Sequence, residues 1–270
     1  SSLFLILILI VACGEKSATD TAKQKETTIT EDKPVVTKVR NPRTFGGEKS
    51  AVQKTIEAAS SSIQGATDKR LGYWVGSFGK NKINLTITDI RDGKMQGYSV
   101  CAGNFRPLQG TISKQDDGTY DCTLKEPGDD PYDGTFSFVL DLENDFLTGR
   151  WTPFKSEGNS PKSFTLLKRD WKYDADAGDY AFASKEELFQ HELMNEFSKE
   201  QLSMIRNEIY ARHGYCFKKK DFRYHFEGKS WYIPISVDVR DQLTDREVEN
   251  IELIYGLEEY YDEYYDDFGR

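Results

Sequence analysis

Residues 83–88 read Ile-Asn-Leu-Thr-Ile-Thr, and residues 91–94, which follow closely, read Arg-Asp-Gly-Lys. In the first stretch apolar and polar side chains alternate with a period of two, as they do in a β-strand with one buried and one solvated face. The Asp-Gly pair accepts the positive φ angles of a tight turn between antiparallel strands. Residues 116–118, Asp-Asp-Gly, repeat this turn signal. Both stretches therefore predict β-hairpins.

Strand segments of similar length lie at regular spacing around residues 83–88. They are residues 73–78, 96–101, 107–113, 119–125, 135–141, 147–152 and 163–168. Eight short strands joined by turns are typical of an antiparallel barrel or sandwich, and we expect this domain to span residues 71–172. Gly97, Gly110 and Gly149 lie inside the strand patterns, where glycine commonly marks the bulges or bends that let a sheet close.

Two segments that combine glycine and tryptophan lie near the ends of this domain. Residues 72–76, Gly-Tyr-Trp-Val-Gly, and residues 149–151, Gly-Arg-Trp, resemble small lipocalin-like barrels, which open with a Gly-x-Trp pattern. The layout is also similar to that of lipoprotein lysozyme inhibitors of bacterial envelopes. We expect Trp74 and Trp151 to fill the barrel rather than to hold a ligand, because side chains readily fill a barrel of about eight strands.

The longest irregular connection in this domain is residues 126–134, which carries four carboxylates. Several oxygen ligands in one loop are what a calcium ion requires. The spacing of the EF-hand loop is missing, however, so we expect a solvated turn.

The chain has four cysteines, too few for a disulfide-rich scaffold. In a simple meander Cys101 and Cys122 lie on strands separated by one other strand, about twice the 4.8 Å strand spacing. A disulfide requires Cα atoms within roughly 7 Å. We therefore predict two buried free thiols rather than a bridge, and Cys216 has no evident partner.

The last third of the chain changes to helical patterns. Ser184, Ser198 and Thr244 each begin a capping box, in which the hydroxyl caps a backbone N–H and the side chain three residues later reaches back. They predict three helix starts, and the second helix is expected to end at Gly214. The predicted fold class is an α+β multidomain chain: an antiparallel β-barrel or meander of about eight strands, followed by a small all-α module and preceded by a disordered tether.

One segment of the helical region is distinctive. Residues 205–215 read Ile-Arg-Asn-Glu-Ile-Tyr-Ala-Arg-His-Gly-Tyr, which resembles the signature of the bacterial YARHG domain. The aromatic residues at 224–226 and 230–232 continue the family pattern, so the resemblance covers residues 184–260. It implies a small helical extracytoplasmic module, often attached to lipoproteins or other envelope proteins, with no established reaction.

The YARHG segment supplies the candidate binding residues. These are Arg206, Asn207, Glu208, Tyr210, Arg212 and His213, together with Trp231 and Tyr232. In one interpretation they are polar and aromatic staples that hold together the short helices of a small core, and this is the interpretation that we favour. In the other they form an aromatic, arginine-bearing groove for a cell-wall glycan or peptide, because guanidinium groups bind carboxylates with planar geometry.

The beginning of the sequence predicts export. Residues 3–11 form an unbroken apolar run, which is too short to span a bilayer but has the length of a signal-peptide core. Residues 10–14, Ile-Val-Ala-Cys-Gly, resemble the bacterial lipobox, which implies cleavage before Cys13 and acylation of its thiol and amino group. We therefore expect residues 1–12 to be a lipoprotein signal peptide, truncated at its start, although an ordinary signal peptide is an alternative. The expected location is the bacterial cell envelope, anchored to the lipid bilayer through Cys13 and facing the periplasm or the cell surface.

Two polar segments flank the predicted domains. Residues 13–70 are rich in Lys, Glu, Thr and Ser, which predicts a flexible tether, within which residues 51–59 can form a short amphipathic helix. Residues 261–270 are acidic and rich in tyrosine, and they predict a solvated tail or an extension of the last helix.

Composition excludes some functions and leaves others open. A net charge of −9 argues against nucleic-acid binding, and the three histidines lack the spacing of a metal site, so we predict no catalytic residues, no metal and no cofactor. The expected function is a non-enzymatic binding module for peptidoglycan or an envelope protein. The alternatives are an envelope hydrolase with carboxylates at a barrel mouth, and a barrel that binds a small apolar ligand or inhibits lysozyme.

Overall fold

The computed structural model describes residues 49–156 and 158–264. It contains eight strands: β1 (Gly72–Phe78), β2 (Asn81–Arg91), β3 (Lys94–Cys101), β4 (Asn104–Lys114), β5 (Tyr120–Lys125), β6 (Gly134–Asp141), β7 (Phe146–Pro153) and β8 (Lys162–Arg169). Its helices are α1 (Ala51–Ile63), α2 (Phe182–Lys185), α3 (Gln190–Glu196), α4 (Lys199–Arg212), α5 (Lys220–Glu227), a short 3₁₀ helix (Arg240–Gln242) and α6 (Asp245–Tyr264).

The eight strands form a closed antiparallel barrel in which each strand pairs with its neighbour in sequence. Pairing of β1 with β8, from Tyr73 opposite Arg169 to Ser77 opposite Thr165, completes the closure. The predicted antiparallel barrel followed by a helical module is thus confirmed. Each strand segment expected from the alternating pattern is a strand.

The interior of the barrel is filled by the inward side chains of all eight strands. Trp74 and Trp151 are both buried there, as expected from the sequence. The other large buried side chains of this core include Leu85, Ile87, Met95, Leu108, Leu124, Phe136, Leu140, Leu147 and Leu166.

The three strand glycines lie where neighbouring backbones approach too closely for a side chain. A Cβ atom on Gly110 would lie 1.7 Å from the carbonyl oxygen of Thr123, and one on Gly97 would lie 2.0 Å from that of Thr86. Gly97 faces the register shift that follows Ile87 in β2, which is a bulge of the predicted kind. Gly110 lies in regular register, with no bulge beside it. Glycine is needed there because the neighbouring backbone leaves no space for a side chain.

Helices α2 to α6 pack around a second core that contains Leu202, Ile205 and Ile209 on the inner face of α4. The capping box at Ser198 is present with both of its hydrogen bonds. Thr244 likewise caps α6, since its hydroxyl accepts from the backbone N–H of Glu247 at 3.2 Å. Gly214, just after α4, has a φ of +74°, which suits glycine at a helix end.

The helix start predicted at Ser184 is wrong. Ser184 lies inside the short α2, and the next helix begins at Gln190. The reason is tertiary: the Ser184 hydroxyl donates a hydrogen bond of 2.6 Å to Glu247, 63 residues away, instead of capping a helix.

The tether predicted for residues 13–70 is wrong in its last part, where the amphipathic helix suggested by the sequence forms α1. Ile56 and Ala59 are buried against the outer surface of the barrel, in a third core with Tyr73, Val75 and Ile235. Gln53 is also buried and accepts a hydrogen bond of 3.0 Å from the Ser236 hydroxyl. One apolar face is enough to dock a helix in an otherwise polar segment. The predicted signal peptide, Cys13 and the tether up to residue 48 lie outside the described residues.

Two further sequence predictions concern the cysteines and the chain end. Cys101, Cys122 and Cys216 are free thiols, as expected, but Cys101 is only partly buried rather than buried. Helix α6 continues to Tyr264, so the first four residues of the predicted tail are helical, while residues 265–270 lie outside the described residues. Among the described residues, no helix has the length and apolar character needed to cross a membrane.

Candidate functional site

The YARHG segment lies on α4 and at its C-terminal end, and its candidate side chains are largely buried but differ in whether they border a groove. Glu208, Arg212 and His213 are buried inside the helical module. Arg206, Asn207 and Tyr210 line an open groove on its surface.

The buried pair of Glu208 and Arg212 connects α4 to the segment before α2. Both side chains are 0% exposed and are joined by a salt bridge. Glu208 accepts hydrogen bonds from the backbone N–H groups of Tyr180 at 2.7 Å and Asp179 at 3.1 Å. Arg212 donates to the carbonyl of Ala177 at 2.6 Å and to the Ser184 hydroxyl at 3.0 Å. These contacts tie α4 to residues 177–180 and to α2, so the pair holds the fold together.

His213 and Glu247 form a second buried pair, with 2.8 Å between the imidazole Nε2 and a carboxylate oxygen. Tyr173 stacks on the imidazole with 4.4 Å between ring centres and donates its hydroxyl to Glu247 at 3.0 Å. Burial alone would raise the pKa of Glu247. The hydrogen bond and charge of His213, together with hydrogen bonds from Ser184 and Thr244, outweigh burial and lower this pKa to about 2. Burial and the nearby Glu247 carboxylate raise the pKa of Tyr173 to about 12.

Trp231 and Tyr232 do not line the groove. Tyr232 is buried and donates its hydroxyl to the carbonyl of Tyr215 at 2.7 Å, while its own carbonyl accepts from Lys82 on β2 at 3.1 Å. Trp231 packs edge-on against Phe226, with ring centres 6.3 Å apart. Both aromatic residues therefore contribute to packing, and Tyr232 also to the contact with the barrel.

The groove has a volume of about 300 Å³ and is bounded by α4, α6 and the segment before the 3₁₀ helix. Arg206 forms its wall: the guanidinium pairs with Glu258 through contacts of 3.0 and 3.1 Å and lies 3.8 Å from the ring centre of Tyr255. Asn207 donates to the carbonyl of Ser203 at 2.7 Å. With these contacts the polar side chains are held in fixed positions before any ligand arrives.

Six groove residues were missed as candidates in the sequence, four of them polar or aromatic. Asp238 and Arg240 form a salt bridge of 2.6 Å on the rim, where the Arg240 side chain remains 45% exposed. Hydrogen bonds from Arg240 lower the pKa of Asp238 and keep it charged. Tyr215 and Tyr255 supply aromatic surface. The only sequence signal for the rim is the Asp-x-Arg spacing, which by itself is too common to indicate a site.

Residues 127–132 are exposed, as expected of the solvated turn predicted from the sequence, but two carboxylates of the loop are bound by protein groups. Asp133 is buried at the centre of the loop, where it accepts hydrogen bonds from Arg106 at 2.7 Å and from the backbone N–H of Gly128 at 2.8 Å. Glu126 accepts from the backbone N–H of Gly134 at 2.7 Å and from the Trp151 indole at 3.0 Å. The carboxylates thus order the loop. Within the part of the chain that the structure describes, no cluster of three or more His, Cys, Asp or Glu residues has the arrangement of a metal site.

The fold and the groove define a two-module protein, a closed eight-stranded barrel joined to a compact helical module with a polar, aromatic groove. Residues 179–259 match the YARHG domain family, so the helical module is a YARHG domain. The boundary expected at residue 184 is therefore late, because the backbone of Asp179 and Tyr180 is bound by Glu208 of the motif. No curated protein and no solved structure matches the chain.

Proposed function

We propose that this protein is a membrane-anchored lipoprotein of the bacterial cell envelope that acts as a non-enzymatic binding module. In this proposal the groove of the YARHG domain holds a polar envelope ligand, a cell-wall glycan or its peptide. The observation that carries the proposal is the open groove lined by three residues of the motif, together with the Asp238–Arg240 pair on its rim, where the Arg240 side chain is 45% exposed.

The chemistry of the groove suits such a ligand. Small-molecule and peptide sites combine aromatic or apolar surface with a few fixed polar groups that determine orientation. Here Tyr210, Tyr215 and Tyr255 supply the aromatic surface, and Arg240 supplies a cation at the rim. Arg240 bonds to Asp238 through Nε and Nη2, so a carboxylate of a cell-wall peptide can accept from the remaining N–H groups of its 45% exposed side chain. Glycan hydroxyls can bond to the amide and carboxylate groups.

Binding is tested with the full chain in which Cys13 is replaced by Ser, so that no lipid is attached. The protein is titrated with soluble muropeptides, with the glycan portion alone and with the peptide portion alone. We expect binding of the muropeptide, and a loss of at least tenfold in affinity in Arg240→Ala because the rim cation is removed. The matched control is Arg91→Ala, which breaks a similar Arg–Asp pair of 2.9 Å on the barrel. Failure of all three ligands to bind would refute the proposal.

Membrane attachment is tested separately by Cys13→Ser in cells. Two or more acyl chains give stable anchoring, so we expect the unaltered protein in the membrane fraction with a mass increase equal to the lipid. The Cys13→Ser variant should lack the lipid and leave that fraction. An unmodified Cys13 in the mature protein would contradict the lipoprotein assignment.

The competing functions draw less support from the structure. A hydrolase would use two carboxylates in one cleft, and Glu126 and Asp133 do share the pocket at a barrel mouth. Both oxygens of Asp133, however, already accept hydrogen bonds from Arg106 and from backbone N–H groups. A binding site for an apolar molecule would require space inside the barrel, where Trp74, Leu85 and other side chains pack.

A further inference from the structure

A second pocket, of about 280 Å³, lies at one mouth of the barrel. It shares no lining residue with the YARHG groove. Asn81, Glu126 and Lys162 supply polar groups, and Phe78, Phe136 and Trp151 form an aromatic floor. The volume lies just below the usual range for small-molecule sites, roughly 300–1,000 Å³, so the ligand is the size of a single sugar or amino acid.

Asn81 presents an unused hydrogen-bond acceptor in this pocket. Its side-chain oxygen is buried and has no hydrogen-bond partner among the described residues. A buried carbonyl without a donor is unfavourable, and such groups in native proteins require an explanation. This oxygen is covered by protein atoms, so a ligand hydroxyl can supply the missing donor once the amide of Asn81 turns towards the pocket.

Lys162 presents an unused cation. Its ammonium lies 4.2 Å from the ring centre of Trp151 and 5.1 Å from that of Phe78. Within residues 49–156 and 158–264, no salt bridge joins it to a carboxylate, whereas Arg106, the other cation of the pocket, is paired with Asp133 and Asp129. Lys162 is therefore the cation available to a ligand anion.

The carboxylates near the pocket do not prevent an anion from binding there. Asp133 is bonded to Arg106, and Asp130 lies 4.0 Å from the same guanidinium. Glu126 is largely buried, and this burial raises its pKa despite the hydrogen bonds from Trp151 and Gly134. A carboxyl group that gains a proton readily repels an anionic ligand less.

The rim of the pocket adds an exposed aromatic ring. Tyr132, in the loop between β5 and β6, is 68% exposed and lines the pocket. The apolar face of a sugar ring can pack against such a surface while its hydroxyls reach polar groups.

We propose that the barrel-mouth pocket binds a hydroxylated carboxylate, a sugar acid of monosaccharide size. The carboxylate pairs with Lys162, a hydroxyl donates to the side-chain oxygen of Asn81, and the ring lies against the aromatic residues.

The test uses the full chain with Cys13→Ser, titrated with D-glucuronate, D-glucose and acetate while the indole N–H signal of Trp151 is followed by NMR. Glucuronate should bind and shift this signal. Glucose, which lacks the carboxylate, and acetate, which lacks the hydroxyls, should each bind at least tenfold more weakly. Equal binding of glucose or acetate, or no binding of glucuronate at millimolar concentration, would overturn the proposal.

Variants identify the groups responsible. Lys162→Met and Asn81→Leu should each weaken glucuronate binding at least tenfold, whereas Lys162→Arg, which keeps the charge, should retain most of it. Lys114→Met, at an exposed lysine of β4, is the matched control. An unaltered affinity in a folded Lys162→Met variant would contradict the assignment. Arg240→Ala should leave glucuronate binding unchanged, so this result and that for the YARHG groove are independent.

Discussion

The carboxylate of Glu247 accepts hydrogen bonds from four residues of the C-terminal region, among them His213 of the motif and Tyr173 before α2. A capping box explains only the bond with Thr244, which the sequence predicts. The other partners come from 34 to 74 residues away. One glutamate thus caps α6 and fixes the motif histidine, and its ionised form is the stabilising one.

Stability should fall in acid because of this residue. The pKa of Glu247 in the folded protein is about 2, below its ordinary value of 4.5. Its contribution is therefore complete above about pH 4.5 and is lost as the pH falls towards 2. We expect Glu247→Gln to lower the free energy of unfolding by roughly 2–3 kcal/mol at pH 7 and to flatten the dependence on pH below 4.5.

Urea denaturation at pH 7, 4 and 3 measures this effect. Glu249→Gln is the control, because Glu249 is on the same helix but is exposed and forms a surface salt bridge with Arg246. Equal losses of unfolding free energy in the two variants would show that the buried network contributes no more to stability than an exposed salt bridge.

Gly110 should be intolerant of any side chain. In Gly110→Ala the new Cβ would lie 1.7 Å from a backbone oxygen, which cannot move without breaking the ladder between β4 and β5. We expect a loss of about 3 kcal/mol or more. Gly118→Ala is the comparison, because Gly118 has a φ of +89° but nothing within 4 Å, and its cost should be about 1–2 kcal/mol. Thermal unfolding of both variants measures the difference, and a similar loss would contradict the close-approach argument.

At the scale of elements, α1 is the segment for which the composition is most misleading. Its surroundings are polar, yet Ile56 and Ala59 pack into the third core, and Gln53 bonds to Ser236. Ser50 caps the helix through the backbone N–H of Gln53 at 3.1 Å. The helix joins the outer face of the barrel to the segment after α5.

We expect Ile56→Gln to undock α1, because it places an amide in an apolar interface, at a cost of about 2 kcal/mol. Ala58→Gln, on an exposed position of the same helix, should have little effect. Amide hydrogen exchange is the measurement: in Ile56→Gln exchange should accelerate in α1 and around Ser236. Unchanged exchange would show that α1 contributes no protection to its neighbours.

At the scale of the whole described region, the barrel and the YARHG domain share an interface rather than a flexible linker. The buried Asn84 of β2 donates to the carbonyl of Pro234 at 3.0 Å, and Lys82 donates to the carbonyls of Lys229 and Tyr232. The third core contains residues of β1, β3 and α1, with Cys216, Ile233 and Ile235 of the YARHG domain. This interface predicts cooperative unfolding.

Calorimetry should therefore show one transition for both modules. We expect Asn84→Ala to lower its midpoint, because the Pro234 carbonyl then loses its buried partner, at a cost of about 1–3 kcal/mol. Asn195→Ala, on the exposed side of α3, is the control. Two separate transitions in the unaltered protein would refute the shared interface.

The sequence by itself determined the elements whose signals are local. The period of two predicted the strands, the Asp-Gly pairs predicted the hairpin turns, and two capping boxes predicted the starts of α4 and α6. Each of these signals depends on residues that are neighbours along the chain. The YARHG motif likewise identified α4. Only the tertiary structure decided which motif residues border the groove, because that depends on what packs against each face of α4.

The groove and the mouth pocket illustrate this limit. Arg206 and Asn207 meet Asp238, Arg240 and Tyr255 only because α6 and the preceding segment fold back onto α4. Asn81 and Lys162 share a pocket only because the barrel closes. Local patterns carry information about neighbours in sequence, whereas a site depends on contacts between residues far apart in the chain, which closure and packing alone create.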